Sequence, residues 1–122
     1  MKGALEMNAE EMRRRTKEFA KKVIELCREL PNNREGRLIG NQLFKSGTSV
    51  AANYRAACRG RSKADFIAKL GIVEEESDET LFWLEIIEEM NICDPSAVHL
   101  LMQECDEIVA IVVSSIKTAK RR

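Results

Sequence analysis

"FIAKLGIVEEESDETLFWLEII", residues 66 to 87, sets Phe66, Leu70, Val73, Ser77, Thr80, Leu84 and Ile87 at alternating steps of four and three. Each residue of an α-helix advances about 100°, so steps of that size return to one side. The stretch predicts a helix with a heptad-like seam, with Leu81 beside it.

The flanking sequence carries the same period. Met12, Thr16, Phe19, Val23, Leu26 and Leu30 form one apolar stripe that ends at Pro31, and Asn8 with Glu11 supplies a capping pair at its start. Asn32 with Glu35 repeats that pattern before a second helix, whose inward residues are Ile39, Leu43, Val50, Tyr54 and Cys58. The middle of that helix, Ser46-Gly47-Thr48-Ser49, is weak: its hydroxyls compete for backbone hydrogen bonds and glycine costs about 1 kcal/mol relative to alanine. A bend or a very close helix contact is expected there.

Gly60 is suited to the left-handed residue that ends a helix, and Ser62 with Asp65 caps the next. Asp94-Pro95 opens a fourth helix, followed by Val98, Leu101, Cys105, Ile108 and Val112, with Val109 and Ile116 widening the face. The prediction is all-α: an antiparallel up-down-up-down four-helix bundle. It forms a single domain over residues 1–122, with helices at about 8–30, 34–59, 62–91 and 95–119. The first few residues and Lys117 to Arg122 are expected to fray.

Bulk properties agree with this architecture. Aromatic residues make up 5% of the chain and prolines number two, which disfavours a many-stranded sheet. No apolar run approaches the roughly 20 residues of a membrane span, and the start lacks a signal-peptide core, so a cytoplasmic location is expected. Cys27, Cys58, Cys93 and Cys105 form no CxxC pair and His99 is the single histidine, which argues for reduced thiols and against structural zinc. Net charge is zero but unevenly placed. Residues 1–63 carry 15 Lys/Arg against 7 Asp/Glu, and residues 64–122 carry 5 against 13.

The run Glu74 to Glu79 suggests a metal or acid–base cluster, with Glu75 and Glu79 able to share a face. A helix otherwise spreads these carboxylates around its circumference, and the Glu-x-x-His pairs of a di-iron bundle are missing. No GxSxG, HExxH or glycine-rich phosphate loop occurs either, so the chain reads as a non-enzyme without cofactors.

Arg55, Arg59, Arg61 and Lys63 cluster near one helix turn and are candidate contacts for RNA or DNA phosphates. The competing reading pairs these side chains with glutamates of the third helix. Arg13-Arg14-Arg15 with Lys17, Lys21 and Lys22 reads as a solvated basic face. Phe82 and Trp83 follow Leu81, so one of the three must point outward, and Ile111 and Val113 likewise flank Val112. These surplus apolar residues make Phe82 and Trp83 candidates for a subunit interface.

Asn41 to Ile86 resembles the bacterial 23S rRNA intervening-sequence protein family, through Ser49 to Tyr54, Arg61-Ser62-Lys63 with Asp65-Phe66, and the acidic run to Trp83-Leu84-Glu85. The family is encoded in insertions within some ribosomal RNA genes and elsewhere in bacterial genomes, and its biochemical role is not established. The resemblance implies a homopentameric ring of four-helix bundles. Relatives among the accessory proteins of diversity-generating retroelements bind nucleic acid and a reverse transcriptase, which strengthens the nucleic-acid reading. An acidic residue expected shortly after Asn53-Tyr54 is Ala56 here. Asn53 is expected to hydrogen-bond across a close helix contact, and Tyr54 to fill a gap. The alternative function is a protein–protein interaction scaffold without nucleic-acid affinity.

Overall fold

The computed structural model describes residues 8–122, in which four α-helices follow one another: α1 (Ala9–Glu29), α2 (Arg34–Cys58), α3 (Lys63–Glu89) and α4 (Pro95–Arg121). Each packs against the next and α1 also meets α4, closing the antiparallel up-down-up-down bundle. No strand occurs among the described residues. The expected fray of the first few residues lies outside them, apart from the cap at Asn8. At the other end the expectation fails, because α4 continues through Lys117 to Arg121.

The α3 seam is the floor of the core. Leu70, Val73, Ser77, Thr80, Leu84 and Ile87 are all buried, and Phe66 at the open end is half-buried. The α1 stripe buries Met12, Thr16, Phe19, Val23 and Leu26, and α4 buries Val98, Leu101, Cys105, Ile108 and Val112. Ile111, expected on a surplus outer face, is buried as well.

Hydroxyls buried in such a seam would cost about 1–3 kcal/mol each if unpaired. Ser77 Oγ donates to the Val73 carbonyl at 2.7 Å, and Thr16 Oγ1 to that of Met12 at 2.9 Å. Thr80 Oγ1 reaches across to Ser46 Oγ on α2 at 2.9 Å, and Ser46 in turn donates to the Leu43 carbonyl at 3.3 Å. On the other side Cys105 Sγ donates to the Ser77 carbonyl at 3.0 Å, tying α4 to α3.

The weak middle of α2 is a close contact within an unbroken helix. A Cβ on Gly47 would fall 2.7 and 2.9 Å from the two γ-carbons of Val23, so only glycine lets α1 come this near. Asn53 does not bond across the contact; its amide donates to the Ser49 carbonyl of its own helix at 2.8 Å. Tyr54 is buried, and desolvation pushes its phenol up from the ordinary range.

The helix ends follow the capping rules with local shifts. Asn8 Oδ1 accepts from the Glu11 amide at 2.8 Å, but the Glu11 carboxylate takes the Asn8 side-chain amide, not its backbone. The second cap is Asn33, one residue later than expected, accepting from Gly36 at 2.8 Å. Gly60 is not left-handed, since no glycine among the described residues has positive φ. Its role is closeness: a Cβ there would lie 3.0 Å from the Ala57 carbonyl and 3.2 Å from the Asp65 carboxylate. The left-handed residue is instead Asn91, φ 51°, after α3.

Two glycines should therefore respond oppositely to added bulk. Gly47→Leu forces Val23 aside and lowers stability by about 1–3 kcal/mol. Gly71→Ala, where the new Cβ meets nothing within 4 Å beyond its chain neighbours and its own helix backbone, raises it by about 0.5–1 kcal/mol in urea unfolding. A second prediction concerns alkali. Burial pushes the Cys105 thiol from 9.0 up to about 12 and Cys27 from 9.0 up to about 11. A raised folded value favours the protonated native form, so this contribution is complete below pH 9 and is lost as pH rises towards 12. Cys105→Ser should flatten that alkaline decline in melting temperature.

Candidate nucleic-acid interface

Contact between Gly47 and Val23 sets the register of antiparallel α1 and α2, and this places Arg13, Arg14 and Lys17 across from Arg55 and Arg59. The five side chains line a groove of about 760 Å³. Its floor is Thr48, Ala51 and Ala52, which continue the same α2 face at helical spacing. Small floor residues leave the cations standing as two walls.

None of the five makes an ion pair among the described residues. The expected alternative, pairing of the α2 arginines with α3 glutamates, is absent. Arg15 behaves differently from its two neighbours because the helix turns it towards α4. There its Nε lies 2.7 Å from Glu104 and its Nη2 2.7 Å from Glu107. Hydrogen bonding to Glu104, more than the Glu107 contact, raises the guanidinium pKa further.

The sequence candidates thus divide. Arg55 and Arg59 stand in the groove, whereas Arg61 and Lys63 are exposed around the α2–α3 turn and do not line it. The Arg61 amide donates to the Asp65 carboxylate at 3.2 Å, and Lys69 Nζ lies 2.8 Å from the same group. Lys69, with the Arg61 amide behind it, holds the Asp65 carboxyl below its usual range. Arg13, Arg14 and Lys17, read from sequence as a solvated face, are the members that sequence reasoning missed. Gly47 signalled a close contact in the sequence, but only the structure shows that Val23 makes it and so which turn of α1 lies opposite.

A second cleft, of about 520 Å³, opens between α1 and α4. It is lined by Leu26, Ala97, Leu100 and Leu101 with Lys22, Glu25, Glu104 and Glu107 at its rim. Mixed rim charge gives it no preference for polyanions, in contrast to the α1–α2 groove.

Phe82 and Trp83 differ in exposure. Phe82 is 49% exposed, while Trp83 is half-buried and its indole N–H donates to Glu79 at 3.3 Å. The rings meet edge to face with centroids 4.9 Å apart. Glu75 and Glu79 are exposed, and among the described residues no three His, Cys, Asp or Glu side chains converge as a metal site. Ala56, where an acidic residue was expected, is half-buried. No helix of the described residues is long and apolar enough to cross a membrane.

No curated protein matches the chain. A solved structure of a protein of unknown function from the S23 ribosomal protein family of Bacteroides thetaiotaomicron is similar. The two are 32% identical over 91% of this chain and 99% of that one, with a TM-score of 0.84. The family model described as 23S rRNA-intervening sequence protein matches residues 9–114, a span reaching from the first turn of α1 far into α4. With the four-helix fold and the match over most of its length, the chain belongs to the 23S rRNA-intervening sequence protein family.

Proposed function

We propose that this protein is a non-enzymatic, homo-oligomeric nucleic-acid-binding protein whose contact surface is the α1–α2 groove. The observation that carries this reading is the groove lining: five cations, no acid, and no ion pair to any of them among the described residues. Side chains held without counter-charges are hydrated and neutralised by solution anions, and a polyanion that displaces those anions gains their release entropy. Arg61 and Lys63 extend the positive field beyond the groove, whereas Arg15 is already committed to Glu104 and Glu107.

Self-association, as a pentamer by family resemblance, is supported by the exposed ring of Phe82 beside Trp83. The same exposed ring favours the second reading, a protein-interaction scaffold. The two differ in what survives nuclease treatment and in salt response.

Binding of labelled structured RNA and duplex DNA should fall linearly on a log–log salt plot. Replacing Arg55 and Arg59 with alanine should lower affinity about tenfold or more and make the slope shallower by roughly 0.7–0.9 for every phosphate that is no longer neutralised. Arg61→Ala with Lys63→Ala should cost less. Unchanged binding in the Arg55/Arg59 variant, with helicity intact, would rule the groove out. Light scattering in the same buffer tests self-association: Phe82→Ser should shift the particle towards monomer mass, and a wild-type monomer would refute the oligomer.

A further inference from the structure

Resting on the nucleic-acid reading of the α1–α2 groove, we infer that its ligand is the sugar–phosphate backbone of a double helix, bound without regard to base sequence. Three features of the groove lead there. The first is what its floor cannot do. Ala51 and Ala52 offer no polar side-chain atom, and the Thr48 hydroxyl proton is given to its own helix, the oxygen lying 2.8 Å from the Phe44 carbonyl and 3.2 Å from that of Lys45. Bases turned into the groove would find no donor on the floor, and the Thr48 oxygen as its single side-chain acceptor.

The second is the lack of a stacking platform in the lining. Proteins that hold single strands recover the cost of ordering them by stacking bases on aromatic rings, about 1–3 kcal/mol per base. None of the groove residues is aromatic. A duplex needs no such help, because its bases are already stacked and paired, and its stiffness over about 150 base pairs means little ordering remains to be done.

The third is scale. From Thr48 to the C-cap Arg59 there are 11 steps along α2, about 16 Å at 1.5 Å per residue. The phosphates of one strand rise about 3.4 Å apart along the duplex axis but lie farther apart along the inclined strand itself, so a ridge seated along that length presents fewer than about five of them. Five cations in two facing rows flank one backbone ridge seated on the small-residue floor. Cations in such rows meet phosphates and carry no sequence information.

The test is fluorescence anisotropy of the full chain. Probes are RNA and DNA duplexes of about one to two helical turns, each compared with its unstructured component strands, in two unrelated sequences. Duplex should bind about tenfold tighter than single strand, given the missing stacking energy, and exchange of sequence should change affinity by less than about threefold. Ala52→Trp puts a ring on the exposed floor without touching the core. It should weaken duplex binding and strengthen single-strand binding, with circular dichroism unchanged.

Either duplex form prevailing supports the proposal and identifies the helix type recognised. Single strand binding as tightly as duplex would overturn it while leaving the nucleic-acid reading intact. So would inorganic polyphosphate competing as well as duplex at equal charge, which would make the groove a general polyanion site. Binding to no nucleic acid at low salt would overturn the reading beneath it.

Discussion

Two consecutive residues of α2 hold the bundle in register. Ser46 receives the Thr80 hydroxyl from α3, and Gly47 receives the γ-carbons of Val23 from α1. A polar contact has a preferred distance and a glycine contact tolerates no added carbon, so both resist sliding where leucine-on-leucine packing would accommodate it. The close approach at Gly47 also decides which residues of α1 and α2 face each other across their outer seam. Without it the basic turns at Arg13 to Lys17 and at Arg55 to Arg59 would still exist, but nothing would require them to share a groove.

The α3 seam explains how a core with few aromatics becomes specific. Two of its buried positions are hydroxyls, and each polar atom is matched: Ser77 within its helix, Thr80 to Ser46, and the Ser77 carbonyl to Cys105. A slip of one heptad would break the two contacts that cross between helices, Thr80 to Ser46 and Cys105 to the Ser77 carbonyl. Apolar positions supply most of the stabilisation; the hydroxyls penalise the alternatives.

Fold and site were legible to different depths, for a physical reason. The period at Phe66 to Ile87 names the buried face of α3 because that face follows from local geometry alone. Caps are equally local, and the shift from Asn32 to Asn33 reflects two adjacent residues of identical capping chemistry. Gly60 misled because glycine permits both positive φ and close packing, and composition does not distinguish them. The groove was hidden for another reason: its walls come from residues some forty positions apart, and pairing them requires the inter-helix register. Arg55 and Arg59 could be found as a local cluster; Arg13, Arg14 and Lys17 could be found only with the partner turn known. The run Arg13-Arg14-Arg15 shows the same limit, since two members line the groove and the third is claimed by Glu104 and Glu107.

The continuation of α4 to Arg121 gives the molecule an electrical polarity along its length. Up-down topology brings the α4 C-terminus to the same end as the α2–α3 turn and the start of α1, so Lys117, Lys120 and Arg121 join Arg61, Lys63 and the groove cations there. The far end carries Glu85, Glu88, Glu89 and Asp94. A body with no net charge feels no net pull in a uniform field, yet one with separated poles feels a torque. Near a polyanion it would be rotated, positive end foremost, before any contact forms, and that alignment shortens the orientational search that slows docking between specific patches.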